Sequence, residues 1–140
     1  MMDPDRLKDA EIFKDLSFAE LQKIAPICTE LDFKKDDLVL ARDEQAENFY
    51  ILKKGSIELQ FPNGTTIPLN RPGALIGWSA LVSPYTYIGT IRCLEDCQFL
   101  AFRSKKFLEL ITAETAIGLK VMNQIASVIS DRIRLVSKGE

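Results

Sequence analysis

Short runs of alternating apolar and polar residues fill the middle of this chain, and turn-forming residues separate them. The run "SIELQF" alternates Ile57, Leu59 and Phe61 with polar residues, which is the pattern of a strand with one face toward water. The segment "PNG" follows directly, and Asn-Gly accepts the positive φ angles of a tight hairpin. Similar runs recur at short intervals: "LVLA", "FYIL", "TIPL", "GTIRC" and "QFLAF". We therefore predict an antiparallel barrel or jelly roll over about residues 31–102.

Helical spacing precedes this barrel, over about residues 7–30. Ser17 stands three residues before Glu20, the reciprocal capping box that satisfies unpaired amides at a helix start. Pro26 is expected to end or bend the helix, because proline removes a hydrogen-bond donor and clashes with the preceding turn. The predicted apolar stripe of this region consists of Leu16, Leu21, Ile24 and Ile27.

Two more helices are predicted after the barrel. A short helix covers about residues 105–111, and Thr112 is expected to cap a long helix over about residues 113–136. The long helix carries one broad apolar stripe: Ile117, Val121, Ile125, Val128, Ile129, Ile133 and Val136. Its length of about 36 Å exceeds what one small barrel covers. We therefore expect the stripe to pack on the barrel and also to form a homodimer seam. Gly118 lies within this helix, where glycine is unfavourable. It indicates either that another helix approaches closely at this point or that the helix simply tolerates a glycine there.

The length, charge and composition place the chain among small globular proteins and limit the classes of partner that we expect. A length of 140 residues suits one domain, mainly β with flanking helices, spanning residues 1–140. The net charge of -2 and the lack of a basic cluster argue against nucleic acid as a partner. No apolar run approaches the roughly 20 residues that cross a membrane. With a charged start and three cysteines, we expect a cytoplasmic protein without a membrane partner.

The chain contains no histidine. This absence excludes Ser-His and Cys-His nucleophile pairs, histidine-bound zinc or iron, and histidine-ligated haem. A cupin-like enzyme on a similar barrel is also disfavoured, because its metal centre is usually built from histidines. We therefore predict a protein that is not an enzyme and that holds no metal.

The order of elements and three sequence segments together resemble the cyclic nucleotide-binding domain family. The segments are "ENFYILKKGSIELQ", "RPGALIGWSAL" and "CLEDCQFLAFRSKKFLELI", and they put Gly55, Gly73 and Gly77 in register with the family's glycines. The resemblance covers about residues 10–136. It implies a regulatory or sensor module that binds cyclic AMP or cyclic GMP and couples ligand capture to movement of its terminal helix.

The resemblance also implies where a ligand would bind. The family's phosphate cassette reads approximately F-G-E-L-A-L, a short variable stretch, then R-A-A-T. Here Trp78 stands where the family's glutamate accepts the ribose 2'-hydroxyl, and Tyr87 stands where its arginine pairs with the cyclic phosphate. The ligand-binding positions that this alignment assigns are Gly77, Trp78, Ser79, Ala80, Leu81, Tyr87, Ile88, Gly89 and Thr90.

The backbone part and the charged part of such a site have different requirements. A short helix beginning near Ser79 would aim unpaired amides, including those of Ala80 and Leu81, at an anion. A buried phosphodiester also needs a cation, because a charge removed from water and left unneutralised is costly. A neutral hydrogen bond contributes about 0.5–1.5 kcal/mol, against about 1.5–3 kcal/mol for one to a charged group. Replacing arginine by Tyr87 should weaken phosphate binding by about one to three orders of magnitude.

Three outcomes remain open for this site. Trp78 and Tyr87 close the cavity by packing inward, or a flatter and less charged ligand stacks on their rings. Alternatively, a cyclic nucleotide binds with Arg71 or Arg92 as its cation. The expected function is a stand-alone regulatory or sensor module with weakened or altered ligand specificity; a ligand-free structural or dimerisation module is the alternative. Because the chain ends at Glu140, we expect output through a protein partner or through the dimer.

Overall fold

A computed structural model of the chain describes residues 2–138, and it describes side chains as far as Leu135. Within these residues the chain forms eight strands: β1 (Cys28–Phe33), β2 (Leu38–Leu40), β3 (Asn48–Lys54), β4 (Ile57–Gln60), β5 (Thr66–Leu69), β6 (Leu75–Ile76), β7 (Thr90–Cys93) and β8 (Cys97–Arg103). It also forms three α-helices: α1 (Phe18–Ile24), α2 (Ser104–Ala113) and α3 (Thr115–Lys138). Single 3-10 turns occupy Pro4–Leu7, Glu11–Phe13, Ala25–Ile27 and Trp78–Leu81.

The strands form two four-stranded antiparallel sheets. One sheet has the order β1-β8-β3-β6, and the other has the order β2-β7-β4-β5. The predicted alternation holds in β4, where Ile57 and Leu59 are buried and Glu58 and Gln60 are half-buried. β4 and β5 form the hairpin expected at "PNG", and Gly64 adopts a φ of +87° at its turn. The predicted antiparallel jelly-roll barrel with flanking helices is confirmed.

The capping box at the start of α1 forms as expected. The Glu20 amide donates to Ser17 Oγ at 3.2 Å, and the Ser17 amide donates to Glu20 Oε1 at 2.9 Å. The helix ends at Ile24, just before Pro26, and the chain continues as a 3-10 turn. Helical structure therefore ends earlier than the predicted residue 30. β1 already begins at Cys28, because its pairing with β8 starts there.

The junction between α2 and α3 differs from the prediction. α2 extends from Ser104 to Ala113, and α3 begins at Thr115. Thr112 does not cap the long helix, because its hydroxyl donates to the Leu108 carbonyl at 2.7 Å within α2. Threonine commonly bonds the carbonyl four residues back when it lies inside a helix. The long helix continues to Lys138, slightly beyond the predicted end.

An aromatic cluster attaches the flanking helices to the first sheet. The rings of Phe49 on β3 and Phe102 on β8 stack at 4.9 Å, with 7° between their planes. Phe107 of α2 meets the Phe49 ring edge-on at 4.9 Å, and Phe13 of the N-terminal segment meets Phe102 at 5.8 Å. All four side chains are almost fully buried. Aromatic contacts of this geometry add about 0.5–1.5 kcal/mol each beyond area burial.

The predicted stripe of α3 packs mainly within the chain itself. Its members Ile117, Val121, Ile125 and Val128 are buried in the core. Ile129 is half-buried, Ile133 is 57% exposed, and the side chain of Val136 lies outside the described residues. The expectation that this whole stripe also serves as a dimer seam is wrong for its buried members, because α3 packs against α2 and the 3-10 turn Glu11–Phe13 of the same chain.

Candidate ligand site

The cassette residues follow β6, and Gly77 sets their direction. Gly77 has a φ of +77° and a ψ of 32°, and it precedes the 3-10 turn Trp78–Leu81. A Cβ at this position would lie 3.1 Å from Leu40 Cδ2. Both the left-handed backbone and the crowding favour glycine here. The turn consequently begins close beneath β2 and β3, and the chain returns to the barrel at Thr90, where β7 starts.

The predicted site residues surround a small cavity. Its volume is about 30 Å³. A cavity needs at least about 10–15 Å³ by this measure to hold one water molecule, and ligand pockets typically measure about 300–1,000 Å³. Seven of the nine predicted residues line the cavity, while Ala80 and Leu81 are buried without lining it. The complete lining is Leu40, Leu59, Gln60, Phe61, Gly77, Trp78, Ser79, Tyr87, Ile88, Gly89, Thr90 and Ile91.

Trp78 and Tyr87, the two aromatic residues of the cassette, both line this cavity. The side chains of Trp78 and Tyr87 are buried, with 8% and 7% of their residue surfaces exposed. Tyr87 Oη donates to the Asn48 carbonyl at 2.5 Å, so its one donor is already used. Burial, together with the neighbouring Tyr50, raises the pKa of Tyr87 to about 12. The phenol is therefore neutral at physiological pH and has no free proton to offer a phosphate.

The backbone amides of the cassette are not arranged as predicted. The Ala80 amide donates to the Gly77 carbonyl at 3.1 Å, so the expectation of an unpaired Ala80 amide is wrong. The reason is local: the turn that follows Gly77 is a single four-residue 3-10 turn, whose bonds run three residues back. A turn this short uses its own early amides instead of presenting a row of free donors.

Neither arginine proposed as a substitute cation lines the cavity. Arg71 is 61% exposed and pairs with Glu11 at 2.7 Å. Arg92 donates through Nη1 to the Asp36 carbonyl at 3.0 Å. The residues that line the cavity include no lysine or arginine. A phosphate placed there would gain no ion pair from the side chains that line the cavity.

A second, apolar hollow lies beside the cavity and shares Phe61, Trp78 and Ile88 with it. We call it the groove; its volume is about 310 Å³, and its lining is Phe61, Pro62, Asn63, Trp78, Ile88, Arg132 and Ile133. Of these three shared residues, Trp78 is the one that is buried. Ile88 and Ile133 are each more than half exposed at the rim of the groove.

Arg132 of α3 and Glu11 of the N-terminal segment meet next to the cassette, and neither was singled out from the sequence. Arg132 Cζ lies 5.7 Å from the centre of the Trp78 ring. Arg132 Nη1 donates to the Leu75 carbonyl at 2.8 Å, and Nη2 donates to Glu11 Oε2 at 3.0 Å. One available signal was the position of Arg132, four residues after Val128 on the apolar face of the helix, where a charge is unexpected.

Comparisons with known proteins identify the family to which this barrel and its cassette belong. Residues 30–114 match the model of the cyclic nucleotide-binding domain. The chain belongs to the cyclic nucleotide-binding domain family. It is 28% identical over 96 residues to a cAMP-dependent protein kinase regulatory subunit of Candida albicans, an alignment that covers 69% of this chain. The corresponding subunit of Debaryomyces hansenii is 27% identical over 95 residues. The matched region spans about a fifth of each relative, at 21% of its length.

Solved structures give the same result over nearly the whole chain. A Geobacter metallireducens protein assigned to the cyclic nucleotide-binding class is 27% identical, with a TM-score of 0.83 over 95% of this chain and 99% of that one. A cyclic nucleotide-binding domain from Methylobacillus flagellatus has a TM-score of 0.82 at 14% identity, over 95% and 81% of the two chains. The second likeness concerns the fold alone. Among residues 2–138, no helix combines the length and apolar character needed to cross a membrane.

Proposed function

We propose that this chain is a non-catalytic regulatory or sensor module with weakened or altered affinity for cyclic nucleotides. The observation that carries the proposal is the packing of Trp78 and Tyr87 into a cavity of only about 30 Å³. Family membership supports the regulatory role, and the filled cassette supports the change in specificity. We also propose that the module acts through a protein partner and that it is cytoplasmic.

The cost of admitting a cyclic nucleotide has two parts. Trp78 would have to leave its buried position, and exposing a large apolar side chain costs about 1.5–3 kcal/mol. The phosphate would also lack the arginine contact, worth about 1.5–3 kcal/mol per charged hydrogen bond. Together these terms reduce affinity by about two to four orders of magnitude relative to a family member with an open, charged cassette.

Thermal unfolding of the unmodified protein in the presence of cyclic AMP or cyclic GMP tests this proposal. A dissociation constant near 10 µM would stabilise the fold by about 2.7 kcal/mol at about 1 mM ligand, because the ligand is then at 100 times that constant. For a chain of this size, that corresponds to a rise in Tm of roughly 5–10 °C. We expect a shift of less than about 1 °C with either nucleotide. A rise of the larger size would contradict weakened affinity.

Restoring the family residues gives the complementary test. The double variant Trp78→Glu with Tyr87→Arg should gain affinity for cyclic AMP or cyclic GMP of about tenfold or more, measured by calorimetry, because it supplies both the acceptor and the cation. The matched control is Trp78→Gln with Tyr87→Gln, which opens the cavity with neutral side chains. Equal affinities of the two folded variants would show that charge is not the missing element.

A dimerisation module is the second candidate, and an exposed strip on α3 favours it. The strip, which we call the heptad strip, lies beside the buried face and repeats at spacings of three and four residues: Leu119, Met122, Ala126, Ile129 and Ile133. Leu119 is 76% exposed, Met122 41% and Ile133 57%, whereas Ile129 is half-buried. Single exposed apolar residues are ordinary on protein surfaces. Five at a and d positions are typical of helices that pair as coiled coils, so we propose a homodimer through this strip instead of the buried stripe.

A further inference from the structure

Arg132 carries a buried charge, but its side chain does not line the cavity. Its side chain is only 4% exposed, although it lies near the end of α3. Burial lowers the pKa of Arg132, and the carboxylate of Glu11 opposes that shift. Buried ion pairs are often no more stabilising than well-packed apolar side chains of similar volume. The presence of an arginine at this position therefore calls for a role that a leucine or methionine could not fill.

Glu11 connects Arg132 to the strand that leads into the cassette. Its Oε2 accepts from Arg132 Nη2 at 3.0 Å and from the Leu75 amide at 2.5 Å. Its backbone amide donates to the Gly73 carbonyl at 2.9 Å, and its Oε1 pairs with Arg71. The N-terminal segment, β6 and α3 thus meet at one carboxylate, just before the left-handed turn at Gly77.

Other polar pairs between α3 and the N-terminal segment do not contact the cassette. Gln124 Nε2 donates to Asp15 Oδ2 at 2.6 Å, and Lys120 pairs with Glu20 at 2.8 Å. These contacts hold the first half of the helix. Of the pairs of Lys120, Gln124 and Arg132, only that of Arg132 reaches the cassette. The Arg132 guanidinium lies over the Trp78 indole, 5.7 Å from the centre of its ring. A cation over an indole face gains about 0.5–2 kcal/mol, more when both groups are desolvated.

We propose that Arg132, Glu11 and Trp78 form a latch that holds the end of α3 against the cassette in the absence of any small molecule. The proposal deepens the proposed function, on which it rests, by stating how the module is regulated. Trp78 takes the place of a ligand on the cavity side and supports the helix on the other side. Opening the latch would release the last turns of α3, expose the Trp78 indole, and leave the barrel intact.

The sole tryptophan of the chain, Trp78, makes the latch measurable. Arg132→Met keeps the length and apolar stem of the side chain but removes its charge and its donors. We expect quenching of tryptophan fluorescence by acrylamide to rise severalfold. Amide exchange over residues 126–138 should accelerate by about tenfold or more, while exchange in β3 and β8 stays unchanged. Arg134→Met is the matched control, because Arg134 is 70% exposed on the same helix and pairs only with Asp131 and Ser130 among the described contacts.

Two further variants separate a latch from a general stabilising contact. Arg132→Lys keeps the charge without the forked donors and should give intermediate quenching, whereas Glu11→Gln should reproduce the effect of Arg132→Met on Trp78. Equal exchange in the Arg132→Met and Arg134→Met proteins would overturn the latch. So would acceleration spread evenly over helices and strands, since that is a global loss of stability. No nucleotide enters these measurements, so tight binding of cyclic AMP would refute the proposed function while leaving this test unaffected.

Discussion

Gly118 controls how closely α3 approaches α2, and Gly118→Ala tests that approach. In an isolated helix this substitution is favourable by about 1 kcal/mol, because glycine is a poor helix former. In the folded protein, however, a Cβ at this position would lie 2.5 Å from the Ile111 carbonyl oxygen. Ordinary contacts of this kind lie at 3.4–4 Å. The two helices would have to separate by nearly 1 Å, and Ile117 and Val121 are fully buried beside the contact.

The steric term should outweigh the propensity term. Overpacking of a tight core costs about 1–3 kcal/mol, and backbone atoms cannot swing aside as a side-chain end can. After subtracting the gain of about 1 kcal/mol in propensity, we expect Gly118→Ala to lower the free energy of unfolding by up to about 2 kcal/mol. The corresponding fall in Tm is up to roughly 8 °C for a domain of this size.

Thermal and urea unfolding of Gly118→Ala, with Ser127→Ala as the control, provide the assay. Ser127 is exposed on the same helix, so alanine there should stabilise slightly, by a few tenths of a kcal/mol. If both substitutions stabilise the protein, propensity dominates at both positions. The close helix approach would then not be a constraint on the position of α3, and the reasoning from the 2.5 Å contact would be refuted.

Two other predictions concern Tyr87 and the heptad strip. Because the pKa of Tyr87 is raised from 10.0 to about 12, its neutral form stabilises the fold below pH 10, and this contribution is lost as the pH rises toward about 12. The stability advantage of the wild type over Tyr87→Phe should therefore shrink above pH 10 by about 1.4 kcal/mol per pH unit in urea unfolding; a constant difference would contradict the shifted pKa. In sedimentation, the double variant Leu119→Glu with Met122→Glu should be a monomer where the unmodified protein is a dimer. Leu135 is also exposed on α3 but lies outside the heptad strip, so Leu135→Glu should leave the mass unchanged. An unchanged mass for the double variant would reject the heptad strip as the seam.

The sequence was informative wherever the determining interactions are local. The capping box of Ser17 and Glu20 is defined by residues three positions apart, and the alternation of β4 needs only its own residues. The residues that line the cavity could also be predicted from the sequence, since seven of the nine positions assigned by resemblance to the family lie around it. The inward packing of Trp78 and Tyr87 was among the open alternatives, because the pattern alone does not fix where a large ring points.

Long-range contacts explain what the sequence did not reveal. α3 carries two neighbouring apolar strips, and the predicted stripe joined Ile129 and Ile133 of the exposed strip to the buried residues. Only the folded chain separates Ile125, at 1% exposure, from Ile133, at 57%. The contact between Glu11 and Arg132 joins residues 121 positions apart, and no local pattern records it. Thr112 was misassigned for a related reason, since a threonine before a helix and one inside a helix look alike until the boundary is known.

Trp78 links the two proposals, because it both lines the cavity and lies beside the Arg132 guanidinium. Trp78→Glu would therefore act on both: it removes the indole from the cavity and brings a second carboxylate near Arg132. That carboxylate would compete with Glu11 for the guanidinium, because one arginine fork pairs fully with only one carboxylate at a time. The gain of nucleotide affinity in the restored cassette should accordingly be smaller than its added charges alone would provide, and larger when Arg132→Met is combined with it.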